Sequence, residues 1–325
     1  MNRIRRILVP IKHIRAKALP AVAKAAQIAT ALGARVQLFH AMADPLYVDS
    51  SELAEGLEES RRQECLAQLE KFASSLRRRR IEVTTAAEWD FPAYEAILRN
   101  AHSFGADLIV LDAHPAAHRA PWLLRFTDWE LLRMSAIPVL LVKNSAVYQR
   151  PTVLASIDPT HAFAKPTHLD REILKYGSLM ADSLRGALHV LHAYDPMPSS
   201  MVPVQFTVAK AFPEIQAQVA RRAHAALERA LGSAAIPAKR QHLVGRHPID
   251  AIEEVAGEIG SSIVVMGAIS RSGLKRLVIG NTAEKVLDEL SCDVLIVKPR
   301  AFRSRIGRSI RGSRIVPVAV GPVPM

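Results

Sequence analysis

Short, continuous apolar runs alternate along the chain with longer amphipathic stretches, and the whole order occurs twice. Runs such as 107–112 and 262–267 are apolar at nearly every position, which is typical of strands covered on both faces by helices. Alternation of strands and helices predicts a mostly parallel sheet with right-handed crossovers. The predicted strands are 6–11, 35–41, 81–86, 107–112 and 138–143 in the first half, and 152–157, 187–193, 238–244, 262–267 and 293–298 in the second.

The two halves are related as an internal repeat. Residues 108–143 align without a gap with residues 263–298, and Gly105 falls on Gly260 at the same offset. A repeat of this length is a domain and not a solenoid unit. The predicted helices are 19–33, 50–78, 92–104 and 127–135 in the first half, and 165–183, 208–232, 248–259 and 282–290 in the second.

These patterns predict an α/β protein made of two tandem, doubly wound, open parallel sheets of five strands, of a Rossmann-like kind. We expect the first domain to span 1–146 and the second 150–300, followed by a tail at 301–325. The length of 325 residues fits two domains, and 49% hydrophobic residues suffice for two packed cores.

The net charge of +12 is concentrated near the C-terminus. Seven basic residues and no acidic residue lie between 298 and 314, and Gly, Ser and Pro are interspersed. This composition favours a solvated, disordered extension over a nucleic-acid-binding tail, because Phe302 is the only aromatic residue among the arginines. The basic residues are Lys298, Arg300, Arg303, Arg305, Arg308, Arg311 and Arg314.

Several other classes of protein receive no support from the sequence. No apolar segment is long enough to span a membrane, and the N-terminus lacks a signal-peptide core, so we expect a cytoplasmic protein. Cys65 and Cys292 are too few for a disulfide framework. The twelve histidines suggest no metal site, because Pro115 separates His114 from His118. His189 and His192 are expected on opposite faces of their strand, whereas His40 and His192 occupy equivalent strand ends.

The stretch after the fourth strand of the second half is the best candidate for ligand chemistry, because ligands of open parallel sheets lie at the carboxyl ends of strands. Gly267 ends that strand, and Gly280, Asn281 and Thr282 open the next helix. A helix start of this kind binds phosphate through free N–H groups and the helix dipole. Asn281 or Thr282 could equally serve as a plain helix cap, and spacing alone leaves both interpretations open.

This loop resembles that of the universal stress protein family, whose nucleotide-binding members carry Gly-x2-Gly-x9-Gly-Ser/Thr at this place and an aspartate after strand one. Here the match is Gly267-x2-Ser270-x9-Gly280-Asn281, with Asp158 as the aspartate. The resemblance covers nearly all of both halves. It is strongest to the tandem-domain E subfamily, through Gly280-Asn281-Thr282-Ala283-Glu284 and the 126–133 stretch of the first half.

The resemblance implies an adenine nucleotide alpha hydrolase-like fold with ATP or ADP, with or without Mg²⁺, in the second half. It also implies fifth strands that pair, either between the two halves in a pseudo-twofold arrangement or across a homodimer. No catalytic constellation is evident, so we expect a binding protein with at most slow ATP hydrolysis. The alternative is a nucleotide-free scaffold or a binder of another small ligand. The expected nucleotide-binding residues are Ile157, Asp158, Ala193, Met266, Gly267, Ser270, Gly280, Asn281 and Thr282.

The first half departs from the motif, and we expect no nucleotide there. Asp112 stands at the position of Gly267, where its carboxylate would repel a phosphate. Lys12 stands where the second half has Asp158, and we expect it to be solvated. The remaining replacements are Pro115 for Ser270, Arg125 for Gly280 and Phe126 for Asn281.

Overall fold

The computed structural model divides the chain into two compact units. Unit 1 comprises Met1–Val147 together with Arg303–Met325, and unit 2 comprises Tyr148–Phe302. The described residues are 4–16, 19–48, 51–113, 126–160, 168–196, 212–232, 234–268, 287 and 289–317.

Unit 1 contains a parallel sheet with strand order β4-β2-β1-β5-β6. Strands β1, β5 and β6 are nearly continuous apolar runs, and Ile7, Leu8 and Val9 of β1 are fully buried. The elements are β1 (Arg6–Pro10), α1 (Pro20–Leu32), β2 (Arg35–Met42), β3 (Leu46–Val48), α2 (Ser51–Arg77), β4 (Val83–Trp89), α3 (Ala93–Phe104), β5 (Leu108–Asp112), α4 (Phe126–Met134) and β6 (Val139–Val142).

Unit 2 repeats this topology with strand order β9-β8-β7-β10-β11, again all parallel. Val264 and Val294 are fully buried, as are their neighbours in the same two strands. The elements are β7 (Thr152–Ile157), α5 (Leu169–Ser183), β8 (Ala187–Ala193), α6 (Phe212–Leu231), a short 3-10 helix (Ala238–Arg240), β9 (Gln241–Val244), α7 (Pro248–Glu258), β10 (Ile263–Gly267), β11 (Asp293–Val297) and β12 (Ile315–Pro317), the last within the C-terminal segment of unit 1.

The predicted fold class is confirmed: each unit is an open, doubly wound parallel sheet in which the first strand of its own half is central. The repeated glycines Gly105 and Gly260 both follow a helix with positive φ angles of 67° and 58°. A residue with a side chain is strained in this conformation, which explains why glycine occurs at both places. The predicted helix at 282–290 lies mostly outside the described residues.

The C-terminal segment differs from the disordered tail that its composition predicted. Residues 303–317 lie on unit 1, where β12 pairs in parallel with β3 in a separate two-stranded sheet. Arg311 of this segment pairs with Glu95 of unit 1, which composition alone did not reveal. In the part of the chain that the structure describes, no helix is long and apolar enough to cross a membrane.

Candidate functional site

The carboxyl ends of β7, β8 and β10 meet at one edge of the sheet in unit 2. Ile157 pairs with His192 across β7 and β8, so the next pair along these strands is Asp158 with Ala193. Val265 pairs with Ala155 across β10 and β7, and the same register continued by three residues puts Ala268 level with Asp158. Parallel strands therefore bring the predicted Asp158 and Ala193 together at the edge where ligands bind in such folds.

Asp158 is held in place by its own loop and by the start of α5. Its backbone N–H donates to Asp170 Oδ1 at 3.0 Å, and Thr160 Oγ1 donates to its Oδ1 at 2.9 Å. The side chain is half-buried at the end of β7. The loop thus fixes a carboxylate at the edge of the sheet with part of its surface open to solvent.

Gly267 has a packing reason that the sequence did not indicate. A Cβ atom built on this residue would lie 2.2 Å from Leu169 Cδ2, far inside van der Waals contact. The first residue of α5 therefore occupies the space that a side chain at 267 would need. This geometry explains the glycine by close helix–strand packing, whether or not a phosphate also approaches it.

The other predicted residues divide into two groups. Ile157, Ala193 and Met266 are buried side chains at the ends of β7, β8 and β10, with 3%, 6% and 5% of their surface exposed. The phosphate-loop residues Ser270, Gly280, Asn281 and Thr282 lie outside the described residues.

Lys298 is a residue of this edge that sequence reasoning missed, because it was counted with the basic tail. It follows β11, is 9% exposed, and donates from Nζ to the carbonyl of Ala268 at 2.7 Å. The ammonium also lies 5.1 Å from the centroid of the Phe302 ring. Burial lowers the pKa of Lys298 to about 8. The repeat alignment of Lys143 with Lys298 at the ends of the two fifth strands was the available signal.

His192 lies beside Asp158 and is fully buried. In the described part of the chain neither of its ring nitrogens has a hydrogen-bond partner of good geometry. Burial lowers the pKa of His192, and the Asp158 carboxylate and the Ile157 carbonyl oppose this shift. The buried imidazole of His192 therefore lies opposite Ile157, one residue before Asp158 on this edge.

The same edge of unit 1 is filled by its own side chains. Lys12 forms an ion pair with Asp128 in the first turn of α4, and its Nζ also donates to the Asp112 carbonyl at 3.1 Å. Burial lowers the pKa of Lys12, and Asp128 opposes the shift. The expectation that Lys12 is solvated is wrong, because its side chain is only 17% exposed and points into this ion pair.

Asp112 also has a different role from the one predicted. Its Oδ1 accepts the backbone N–H of Ala21 at 2.8 Å, which satisfies a free donor in the first turn of α1. Pro115 and Arg125 lie outside the described residues, and so does the side chain of Phe126.

A separate cavity of about 310 Å³ opens in unit 1 between the end of β2, the end of β4 and helix α2. His40 lies in its wall with Nδ1 2.7 Å from the Ile11 carbonyl, which gives this strand-end histidine a structural hydrogen bond. Burial raises the pKa of the Cys65 thiol in the same wall. The lining combines charged and apolar side chains: Ile14, Arg15, His40, Met42, Asp44, Arg61, Glu64, Cys65 and Trp89.

Histidines also meet at the β8–β9 edge of unit 2, which sequence reasoning missed. His189 Nδ1 lies 3.0 Å from His242 Nε2, and the two rings stack with centroids 5.3 Å apart. Burial lowers the pKa of both histidines. Within the described ranges no three His, Cys, Asp or Glu side chains are grouped so that they could hold a metal ion, and His114 and His118 lie outside those ranges.

Comparison with known proteins finds the same tandem architecture elsewhere. The model of the universal stress protein family matches residues 3–143 and 167–298. Universal stress protein E of Escherichia coli K12 is 24% identical over 295 residues, which covers 88% of this chain and 92% of that protein. The universal stress protein E homolog of Haemophilus influenzae is 28% identical over 255 residues, covering 77% of this chain and 80% of that protein.

Solved structures agree with the fold. A putative universal stress protein from Pseudomonas aeruginosa UCBPP-PA14 has a TM-score of 0.65 at 24% identity, and the likeness covers 91% of this chain and 94% of that one. A universal stress protein from Archaeoglobus fulgidus has a TM-score of 0.61 at 16% identity, covering 90% of this chain and 96% of that one.

Proposed function

The chain belongs to the universal stress protein family, and from this premise we propose that it serves in stress response by holding ATP or ADP at the carboxyl edge of unit 2, without running a catalytic reaction. The observation that carries the proposal is the meeting of a carboxylate and an ammonium at that edge. Asp158 lies level with Ala268, and Lys298 donates to the Ala268 carbonyl. A carboxylate can accept hydrogen bonds from the ribose hydroxyls of a nucleotide, and an ammonium can neutralise its phosphates.

Each group suits a different part of the nucleotide. The Asp158 carboxylate accepts hydrogen bonds and so suits the hydroxyls of the ribose. Met266 and Ala193 are apolar side chains at the ends of β10 and β8, and we assign them to the side of the site that faces the base. Lys298 is a cation at the start of the loop that follows β10, where phosphates would lie. Ser270, Gly280, Asn281 and Thr282, and a Mg²⁺ ion carried by the nucleotide, complete the proposed site.

Calorimetric titration of the full chain with ATP and ADP in the presence of Mg²⁺ tests the proposal. We expect saturable binding with a Kd of about micromolar order, weakened at least about tenfold by Asp158→Asn. Asp182→Asn is the matched control, because it makes the same change of charge in unit 2 on an exposed residue near the opposite end of α5. The absence of binding heat with both ATP and ADP contradicts the proposal. Equal binding by Asp158→Asn and Asp182→Asn also contradicts it.

The alternative is a nucleotide-free protein that binds another small ligand, and the cavity of unit 1 favours it. Trp89 and Met42 give this cavity an apolar wall, and Arg15 and Arg61 give it cationic groups. Arg15 pairs with Glu64, and Asp44 also lines the cavity, so these groups suit a small amphipathic ligand that carries both polar and apolar surface. Native mass spectrometry of the purified full chain distinguishes the two, because a retained mass that Trp89→Ala removes and Asp158→Asn leaves unchanged supports the alternative.

Pairing of the two fifth strands, homodimer formation and a cytoplasmic location stay predictions that accompany this proposal. Nucleic-acid binding by the basic C-terminal segment is not part of it, because Phe302 is the only aromatic residue among its arginines and Arg311 is paired within unit 1.

A further inference from the structure

The C-terminal segment lies along an edge of unit 1 that no other strand covers within the described residues. Strand β12 pairs in parallel with β3, with Ile315 opposite Leu46, and the two form a sheet of their own. The Leu46 N–H donates to the Arg314 carbonyl at 2.8 Å. Strand β3 is three residues long and owes its pairing to this segment.

A buried acidic cluster lies beside this strand pair. Asp90 and Glu95 share the guanidinium of Arg99, at 2.6 Å from Nε to Asp90 Oδ2 and 2.9 Å from Nη1 to Glu95 Oε2. All three side chains are nearly inaccessible to solvent. Two carboxylates with one guanidinium leave one negative charge in excess, and an uncompensated buried charge is costly.

Arg311 supplies the missing positive charge. Its Nη2 donates to Glu95 Oε2 at 2.7 Å, and its backbone N–H donates to Asp90 Oδ1 at 3.0 Å. The guanidinium also lies 5.8 Å from the centroid of the Phe91 ring. One residue thus contacts the cluster through its main chain, its charge and its planar face, which is specific recognition of an arginine.

A further contact fixes the register of the segment. Ser313 Oγ donates to the Glu58 carboxylate on α2, while the Glu58 carbonyl accepts Trp89 Nε1 at 3.0 Å. Three contacts therefore follow one another along the segment: Arg311 on Glu95, Ser313 on Glu58 and the main-chain pairing that begins at Arg314. We call the receiving surface the acidic groove and define it by Leu46, Glu58, Asp90, Phe91 and Glu95.

Residues 303–314 of the segment contribute little apolar burial. None of residues 303–314 is buried, and Ile310 is 58% exposed. Contacts between charges and main-chain groups near the surface weaken with salt and contribute less than a buried apolar face would. Residues 303–314 are therefore attached mainly through polar contacts, which can open without loss of the apolar core of unit 1.

We propose that the acidic groove is a docking site for an extended, arginine-bearing peptide segment of a partner, and that residues 303–317 of this chain are its resident occupant, which the partner displaces. Addition of a strand to an exposed edge is a common mode of peptide recognition, in which main-chain pairing gives affinity and side-chain contacts give specificity. The tethered segment competes at an effective concentration of about millimolar order. A partner therefore binds only when the tether is weakened or when it binds more tightly.

The first test measures whether Arg311 closes the groove in the full chain. Arg311→Glu places a third carboxylate at the acidic cluster, so we expect hydrogen exchange of the Leu46 amide to speed up at least about tenfold. Arg308→Glu is the matched control: it makes the same change of charge three residues earlier, at an exposed arginine with no described side-chain contact. Unchanged exchange in Arg311→Glu, or equal acceleration in both variants, overturns the proposal.

The second test measures whether the opened groove accepts a peptide. A fluorescently labelled peptide with the sequence of residues 303–317 is titrated into the full-length Arg311→Glu chain and followed by anisotropy. We expect binding that weakens with salt, that the same peptide carrying Arg311→Glu does not show, and that the unmodified chain shows at least about tenfold more weakly because its own segment competes. Failure of the Arg311→Glu chain to bind the peptide, or equal binding by the unmodified chain, overturns the proposal.

Discussion

The two units have the same sheet topology, but the carboxyl edges of their sheets are occupied in opposite ways. In unit 1 Lys12 lies two residues beyond the first strand, forms an ion pair with Asp128 and donates to the Asp112 carbonyl. In unit 2 the residue at the same place is Asp158, whose half-buried carboxylate is held by a short loop. One edge is satisfied by its own side chains, and the other keeps a charged group at its surface.

The difference lies in where the charges of each edge find their partners. In unit 1 Lys12 neutralises the carboxylate of Asp128 inside the protein. Asp112 accepts the free backbone N–H of Ala21 at the start of α1. In unit 2 the buried ammonium of Lys298 contacts only a carbonyl oxygen within the described residues, apart from the face of the Phe302 ring. Fixed charges without a carboxylate partner are the groups that an anionic ligand can stabilise.

The largest expected effect comes from breaking the ion pair of unit 1. Lys12→Ala leaves Asp128 buried without its cation, and we expect the free energy of unfolding of unit 1 to fall by about 3 kcal/mol. Asp158→Ala in unit 2 removes a half-buried carboxylate and is expected to cost less than about 1 kcal/mol. Chemical denaturation, with hydrogen exchange of β1 and β7 to separate the units, measures both.

The double variant Lys12→Ala/Asp128→Ala is the control for this prediction. It removes both charges, so we expect it to recover a large part of the lost stability. If Lys12→Ala is as mild as Asp158→Ala, the ion pair does not maintain the edge of unit 1, and the contrast between the two units is lost.

A smaller effect is expected from substitution of Gly267, which stands where unit 1 has Asp112. Gly267→Ala places a Cβ atom 2.2 Å from the position of Leu169 Cδ2, so α5 must shift, and we expect unit 2 to lose about 1–3 kcal/mol of stability. Gly257→Ala is the control, because a Cβ at that position in α7 meets no atom within 4 Å. Thermal unfolding measures both. Equal melting temperatures in the two variants would show that Leu169 is not packed on Gly267.

The pH dependence of stability is expected to differ between the units. Burial lowers the pKa of His189, His192 and His242 in unit 2, and of His40 alone in unit 1 among the described histidines. Below about pH 6.5 the unfolded chain binds protons that these folded histidines do not, so stability falls from that pH downward through the lowered pKa values. Above it they contribute no pH dependence.

We therefore expect unit 2 to lose protection against hydrogen exchange before unit 1 as the pH falls from about 7 to about 5. This range includes the ordinary histidine pKa of roughly 6.5. His189→Gln/His242→Gln should reduce the difference between the units. Parallel loss of protection in both units, or no effect of the double substitution, would remove histidine burial as its cause.

Much of the fold was predictable because its signals are local. Nearly continuous apolar runs placed the buried strands β1, β5, β7 and β10 within one residue of their observed bounds. The pairing of β3 with β12 was not predictable, since β3 follows β2 by only a few residues and its partner lies more than 260 residues away along the chain. The contacts beside it are made by Arg311 and Ser313, whose residue types suggest solvent exposure.

The candidate site was predictable only in part. The position of Asp158 followed from the strand pattern and the family resemblance, and the structure brings it level with Ala193 as parallel register requires. The structural roles of Lys298, Lys12 and Asp112 were not, because a lysine or aspartate at the end of a strand gives no signal of burial or pairing. The packing of Leu169 on Gly267 likewise depends on where α5 begins.

The sequence by itself determined the repeated order of strands and helices and the family, because these depend on apolar periodicity and on motifs that short segments carry. The tertiary structure alone decided which charges are buried together. Whether a lysine is solvated, an arginine neutralises a distant carboxylate or a glycine makes room for a helix depends on residues that folding brings together from far apart in the chain. Electrostatic and steric energies are set by those distances, and the linear sequence does not contain them.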